Sequence, residues 1–106
     1  MAVGDGAGKS AKILTDAQLQ KKSVKLVVMH LHKKVDPEAP GIGNVCAWLT
    51  EMDALLEKES FVRAEYLEMR KKLHEAIEWV PDVEMRQKLR NSWYSFGKAM
   101  DKKAPR

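Results

Sequence analysis

Four apolar stripes follow one another along this chain, each with the spacing of a helix rather than a strand. The first is Val24, Val27, Val28, Leu31 and Val35. The second is Val45, Trp48, Leu49, Met52, Leu55 and Leu56, the third Tyr66, Met69, Leu73, Ile77 and Val80, and the fourth Met85, Leu89, Trp93, Phe96 and Met100. Steps of three and four residues put each set on one side of an α-helix, where it must be buried against something. No stretch alternates apolar and polar residues with period two, so no strand is expected. The fold class that follows is all-α, a compact bundle of four to five helices with short loops.

The boundaries are written locally. Thr15 and Gln18 form a capping box that opens the first helix at Thr15 or Asp16. Pro37 ends it, and Asp36 to Gly43 (DPEAPGIG), with two prolines and two glycines, is a loop. Asn44 is placed to cap the second helix and Ser60 the third. Pro81 stops the third helix and Asp82 restarts the chain, while Gly97 weakens the fourth near its end. At 106 residues the chain makes one domain. Residues 1–14 read as a flexible, glycine-rich segment, 15–102 as the helical domain, and 103–106 as a frayed tail.

Several function classes are excluded or disfavoured. The longest uncharged apolar run, Leu26 to Leu31, has six residues, too few for a membrane span. Gly6-Ala7-Gly8-Lys9-Ser10 imitates a phosphate-binding loop, but the glycine that motif needs five residues before Gly8 is Val3, and no strand precedes it. The single Cys46 has no partner for a disulfide and no neighbouring base, and reads as a small core residue. His30 and His32 point about 200° apart on a helix, so they cannot share a metal ion, and His74 lacks zinc-type spacing. The carboxylate pairs Glu51 with Asp53, Glu65 with Glu68, and Glu75 with Glu78 lie on solvated faces. None is marked for the burial that raises a catalytic pKa. Glu68 and Lys72 form an i, i+4 pair. No enzyme, cofactor or metal is expected.

The net charge is +4 and the pI about 9.2, which raises the question of nucleic acid. Yet between Glu51 and Glu84 ten acids face five bases. The positive surplus sits in Lys21, Lys22, Lys25, Lys33 and Lys34, and in Lys98, Lys102, Lys103 and Arg106. Weak nucleic-acid contact through the first helix and the tail is the alternative function this leaves open. Among the aromatics, Trp48 and Trp93 fall on core stripes. Trp79 stands at a helix end beside Pro81, where it can either cover the end of the core or present a docking surface. In an up-and-down bundle this end shares a pole with the Val35-Asp36-Pro37 loop.

Three stretches carry a resemblance over roughly residues 16–101. They are Gln18-Leu19-Gln20-Lys21 with Lys34-Val35-Asp36, then Asn44-Val45-Cys46-Ala47 with Leu49, Met52, Leu55 and Leu56, and finally Lys71-Lys72-Leu73 with Ser92-Trp93-Tyr94, Phe96 and Lys98. Together they resemble the N-terminal domain family of transcription elongation factor S-II, most of all the integrase-binding domain of lens-epithelium-derived growth factor. The resemblance implies a monomeric, nuclear, non-catalytic docking domain of a transcription-elongation or chromatin-associated factor. Its partners would be short disordered motifs with an apolar or aromatic anchor and acidic neighbours. The implied site is a hollow between two interhelical loops, with Asp36 accepting hydrogen bonds from the ligand backbone and Val35 lining the hollow. Ile77, Trp79 and Val80 compete for the apolar wall, because the segment after Lys72 is about one turn longer than in the growth-factor domain. Lys34, Lys71 and Lys72 would supply electrostatic contacts. The first loop is also longer here, and His74-Glu75 replaces the family's basic patch.

Overall fold

The computed structural model describes residues 15–104, so the readings of the glycine-rich segment and of Arg106 lie outside the described residues. Four helices are present and no strand occurs among the described residues: α1 (Asp16–Lys34), α2 (Gly43–Glu57), α3 (Arg63–Ile77) and α4 (Val83–Met100). They run up and down as a bundle in which α1 and α4 pack antiparallel side by side, α2 packs on α3, and α3 also contacts α4.

The α1 cap is the one read from the sequence. Thr15 Oγ1 accepts from the Gln18 amide at 3.1 Å, and Gln18 Oε1 accepts from the Thr15 amide at 2.9 Å. Asp82 caps α4, its Oδ2 accepting from the Met85 amide at 2.8 Å. Two expected caps are corrected. Helix α2 starts one residue earlier than Asn44, and its cap position is Ile42, which makes no side-chain cap bond. Ile42 is instead buried in the core, so packing rather than a polar side chain holds that helix start. Helix α3 is preceded by Val62, not Ser60, again without a side-chain bond.

The four stripes meet as one core around Trp48, Tyr66 and Phe96, each at most 2% exposed. Trp48 meets Phe96 edge-on at 6.1 Å, and its indole N–H donates to the Met69 carbonyl at 2.6 Å, so its one polar atom is satisfied. Val27, Val35, Leu56, Met85 and Trp93 are only partly buried at the margin, and Cys46 lies beside the core as expected. The end of the bundle opposite the α1–α2 loop is tied by long-range polar bonds. Gln20 Nε2 donates to the Lys102 carbonyl at 2.9 Å, and the Ala104 amide donates to Asp16 Oδ1 at 2.7 Å. Of the tail expected to fray over 103–106, Ala104 is therefore held against α1.

Candidate functional site

At the other end the loops 35–42 and 78–82 meet. Val35 leaves α1 in an extended conformation, with its amide still donating to the Leu31 carbonyl at 3.0 Å. Pro37 disfavours helix at the residue before it. Asp36 then folds the chain back: its Oδ1 accepts from the Glu38 amide at 2.9 Å and its carbonyl from the Ala39 amide at 3.0 Å. The turn closes on Gly41, whose φ is +73°. A Cβ at Gly41 would fall 2.7 Å from the Trp79 carbonyl oxygen and 2.7 Å from Pro81 Cδ. Only glycine allows this backbone angle and this approach together, so Gly41 is where one loop rests on the other.

The expectation that these loops share a pole is met, but their residues are not equally available. Ile77 and Val80 are each 1% exposed and belong to the core, where they support the loop from beneath. Trp79 is 70% exposed. Of the two roles open to it, covering the core's end falls to Val80, and the Trp79 ring faces solvent. Val35 is half-buried, and Asp36 is exposed with Oδ2 accepting nothing from the described residues.

The three lysines turn to different partners, and of them only Lys72 lines the depression that reaches Trp79. Lys34 reaches across to Ser92, its Nζ 3.4 Å from Oγ. Lys72 pairs with Glu51 of α2 at 3.6 Å, not with Glu68 of its own helix. Lys71 is exposed on the side of α3 that carries Arg70 and His74 and faces Trp93 of α4.

A groove between α2 and α3, which sequence reasoning missed, opens beside Trp79. Its main part encloses about 560 Å³ over an apolar floor of Ala54, Leu55, Ala64 and Met69. The Lys58–Glu65 pair (3.8 Å) and the Lys72–Glu51 pair (3.6 Å) bridge α2 and α3 at its two ends. Beyond Glu51 and Lys72 lies a smaller, mainly polar depression of about 310 Å³, lined by Asn44, Ala47, Trp48 and Glu75 and reaching Trp79. Alanines at 47, 54 and 64 keep the floor low. Their small size was the available signal, but which alanines face one another depends on helix pairing.

The third tryptophan is also more exposed than its stripe suggested. The Arg70 guanidinium lies over the Trp93 ring at 3.9 Å, and His74 packs against the same ring at 5.1 Å. Arg70 can lie there because Gly97 has no side chain: a Cβ at that position would be 2.6 Å from Arg70 Nη2. All three histidines are exposed, and His32 Nε2 sits 3.0 Å from the Asp53 carboxylate. Among the described residues no three His, Cys, Asp or Glu side chains converge on a point a metal ion could occupy. No described helix is long and apolar enough to cross a membrane. Comparison with protein-family models, with curated proteins and with solved structures finds no match in any of the three.

Proposed function

We propose that this bundle is a non-catalytic docking domain of a nuclear transcription-elongation or chromatin-associated factor, acting as a monomer on short disordered motifs with an apolar or aromatic anchor. The observation that carries the reading is Trp79, 70% exposed at the edge of a mainly polar depression that adjoins the apolar α2–α3 groove across the Glu51–Lys72 pair. A bare indole on a braced loop, beside a polar depression, suits an apolar anchor side chain followed by a few polar residues. Rigid aromatic surface of this kind binds at low entropic cost. Asp36 stands on the loop that contacts the Trp79 loop. Its Oδ1 is occupied by the Glu38 amide, which orients the carboxylate and leaves Oδ2 for a ligand amide.

Affinity capture from nuclear extract, followed by peptide mapping, supplies the ligands for titration. Trp79→Ala should weaken binding of a mapped peptide by about 2 kcal/mol or more. Asp36→Asn should weaken it by roughly 1–3 kcal/mol. Because both side chains are exposed, thermal melting should be unchanged. Full affinity in both variants would remove the site from this pole.

A further inference from the structure

We infer that the groove between α1 and α4, on another side of the bundle, docks an acidic extended segment of a partner protein bearing one apolar anchor. The groove encloses about 350 Å³. Leu26, Val27 and Ala99 give it an apolar floor, with Leu26 half exposed. Lys34 stands at one end and Lys98 and Lys102 at the other, and no Asp or Glu lines it. None of these lysines forms an ion pair with a described residue. The surroundings have the same sign. Helix α1 carries five lysines and α4 four Lys or Arg, against one carboxylate on each, Asp16 and Glu84. Lys98 and Lys102, four residues apart, repel each other, and Lys34 adds the same sign at the far end; an anionic occupant relieves that repulsion and meets both ends while covering the floor.

The chemistry favours a peptide over a nucleic acid. The single ring lining the groove is the His30 imidazole, with no Phe, Tyr or Trp to form a platform for successive bases, and a sugar–phosphate chain has nothing apolar to set on Leu26 and Val27. An extended peptide has both what the floor and what the rim require. Its unpaired backbone amides can also donate to Ser95 Oγ, whose own hydrogen is given to the Asn91 carbonyl at 3.0 Å. From Ser92 to the end of α4 at Met100 the helix rises about 12 Å at ~1.5 Å per residue, and Lys102 lies just beyond. That is the reach of about four to five extended residues at ~3.3 Å each. The expected motif is therefore a short one, with a central apolar residue over the floor and carboxylates on both sides for Lys34 and for Lys98 with Lys102.

The test is fluorescence anisotropy on the whole chain with labelled Glu-Asp-Leu-Asp-Glu, the same peptide with Gly for Leu, and a short oligouridine, at about 150 mM salt. The leucine peptide should bind, with the glycine peptide and the oligouridine each weaker by at least about tenfold. Lys98→Glu with Lys102→Glu should weaken the leucine peptide by at least about tenfold at an unchanged melting temperature. The control Lys22→Glu with Lys25→Glu alters net charge equally, outside the groove lining, and should change binding less than about threefold. Trp79→Ala should leave this probe unaffected, so the outcome stands apart from that of the docking pole. Four results overturn the inference. They are no binding of the leucine peptide, equal binding of the glycine peptide, tighter binding of oligouridine, or sedimentation showing self-association that the Lys98 and Lys102 changes abolish. The last would assign the groove to the acidic α2 of a second copy.

Discussion

Tyr66 sits wholly inside the core, and its hydroxyl has no hydrogen-bond partner among the described residues. Burial pushes its pKa above the ordinary tyrosine value, and the adjacent Glu65 carboxylate pushes in the same direction. Such an orphaned hydroxyl is a cost that the ring's packing on Phe61, 4.6 Å away, has to offset. Tyr66→Phe keeps the ring and removes the cost, so the variant should melt higher by about 1 kcal/mol of stability at neutral pH. The pH dependence has a definite sign. A group whose folded pKa is raised contributes stability that is whole below its unfolded value of about 10 and is lost as pH rises through the folded value. The advantage of the phenylalanine variant should therefore widen above pH ~10, in melts taken from neutral to alkaline solution. A variant less stable than the parent at pH 7 would mean the hydroxyl is bonded after all. Tyr66 was legible as a core position from its spacing with Met69 and Leu73. That its oxygen would lack a partner was not, since any partner would have to come from a distant element.

The helices show how far local rules reach. Capping is readable where a polar side chain bonds three residues ahead within the same segment, as at Thr15 and Asp82. It is misread where a tertiary contact performs the task, as at Ile42, which is held by its burial in the core. A paired measurement separates the two. Asp82→Ala should cost about 1 kcal/mol of stability by thermal or denaturant melting. Asn44→Ala, exposed and one residue inside α2, should cost less than about 0.5 kcal/mol. Equal losses would restore Asn44 as the cap. Within α3 the contrast recurs in charge: Lys72 has Glu68 four residues behind it but turns to Glu51 on the neighbouring helix.

Over the whole molecule the pole is closed by one backbone contact. Gly41 holds the α1–α2 loop against the Trp79 carbonyl and Pro81. Gly41→Ala places a non-glycine residue at positive φ, which costs roughly 1–2 kcal/mol, and drives a methyl group into a backbone oxygen that cannot swing aside. Denaturant melting should show a loss of at least that size, and the emission of Trp79 should shift as its loop is displaced. A Gly41→Ala protein of unchanged stability would show that the loops do not need each other. Charge is likewise sorted at this scale. Helix α2 holds three carboxylates and no Lys or Arg, while α1 and α4, from opposite ends of the chain, combine into the basic side.

The sequence by itself determined where the helices lie, which residues they bury and that Pro37 and Pro81 end them, because these follow from contacts within about one turn or from the fixed geometry of a proline. It also located the two loops that share a pole, since alternation of direction follows from short connections. Only the tertiary structure decided that Val80 rather than Trp79 covers the core. Two residues side by side at a helix end differ in burial only through what the next element places over them. The same holds for the α2–α3 groove and for the three unpaired lysines of the α1–α4 groove. Each depends on the rotation of one helix against another, which is set by the packing of whole faces and is written in no single segment.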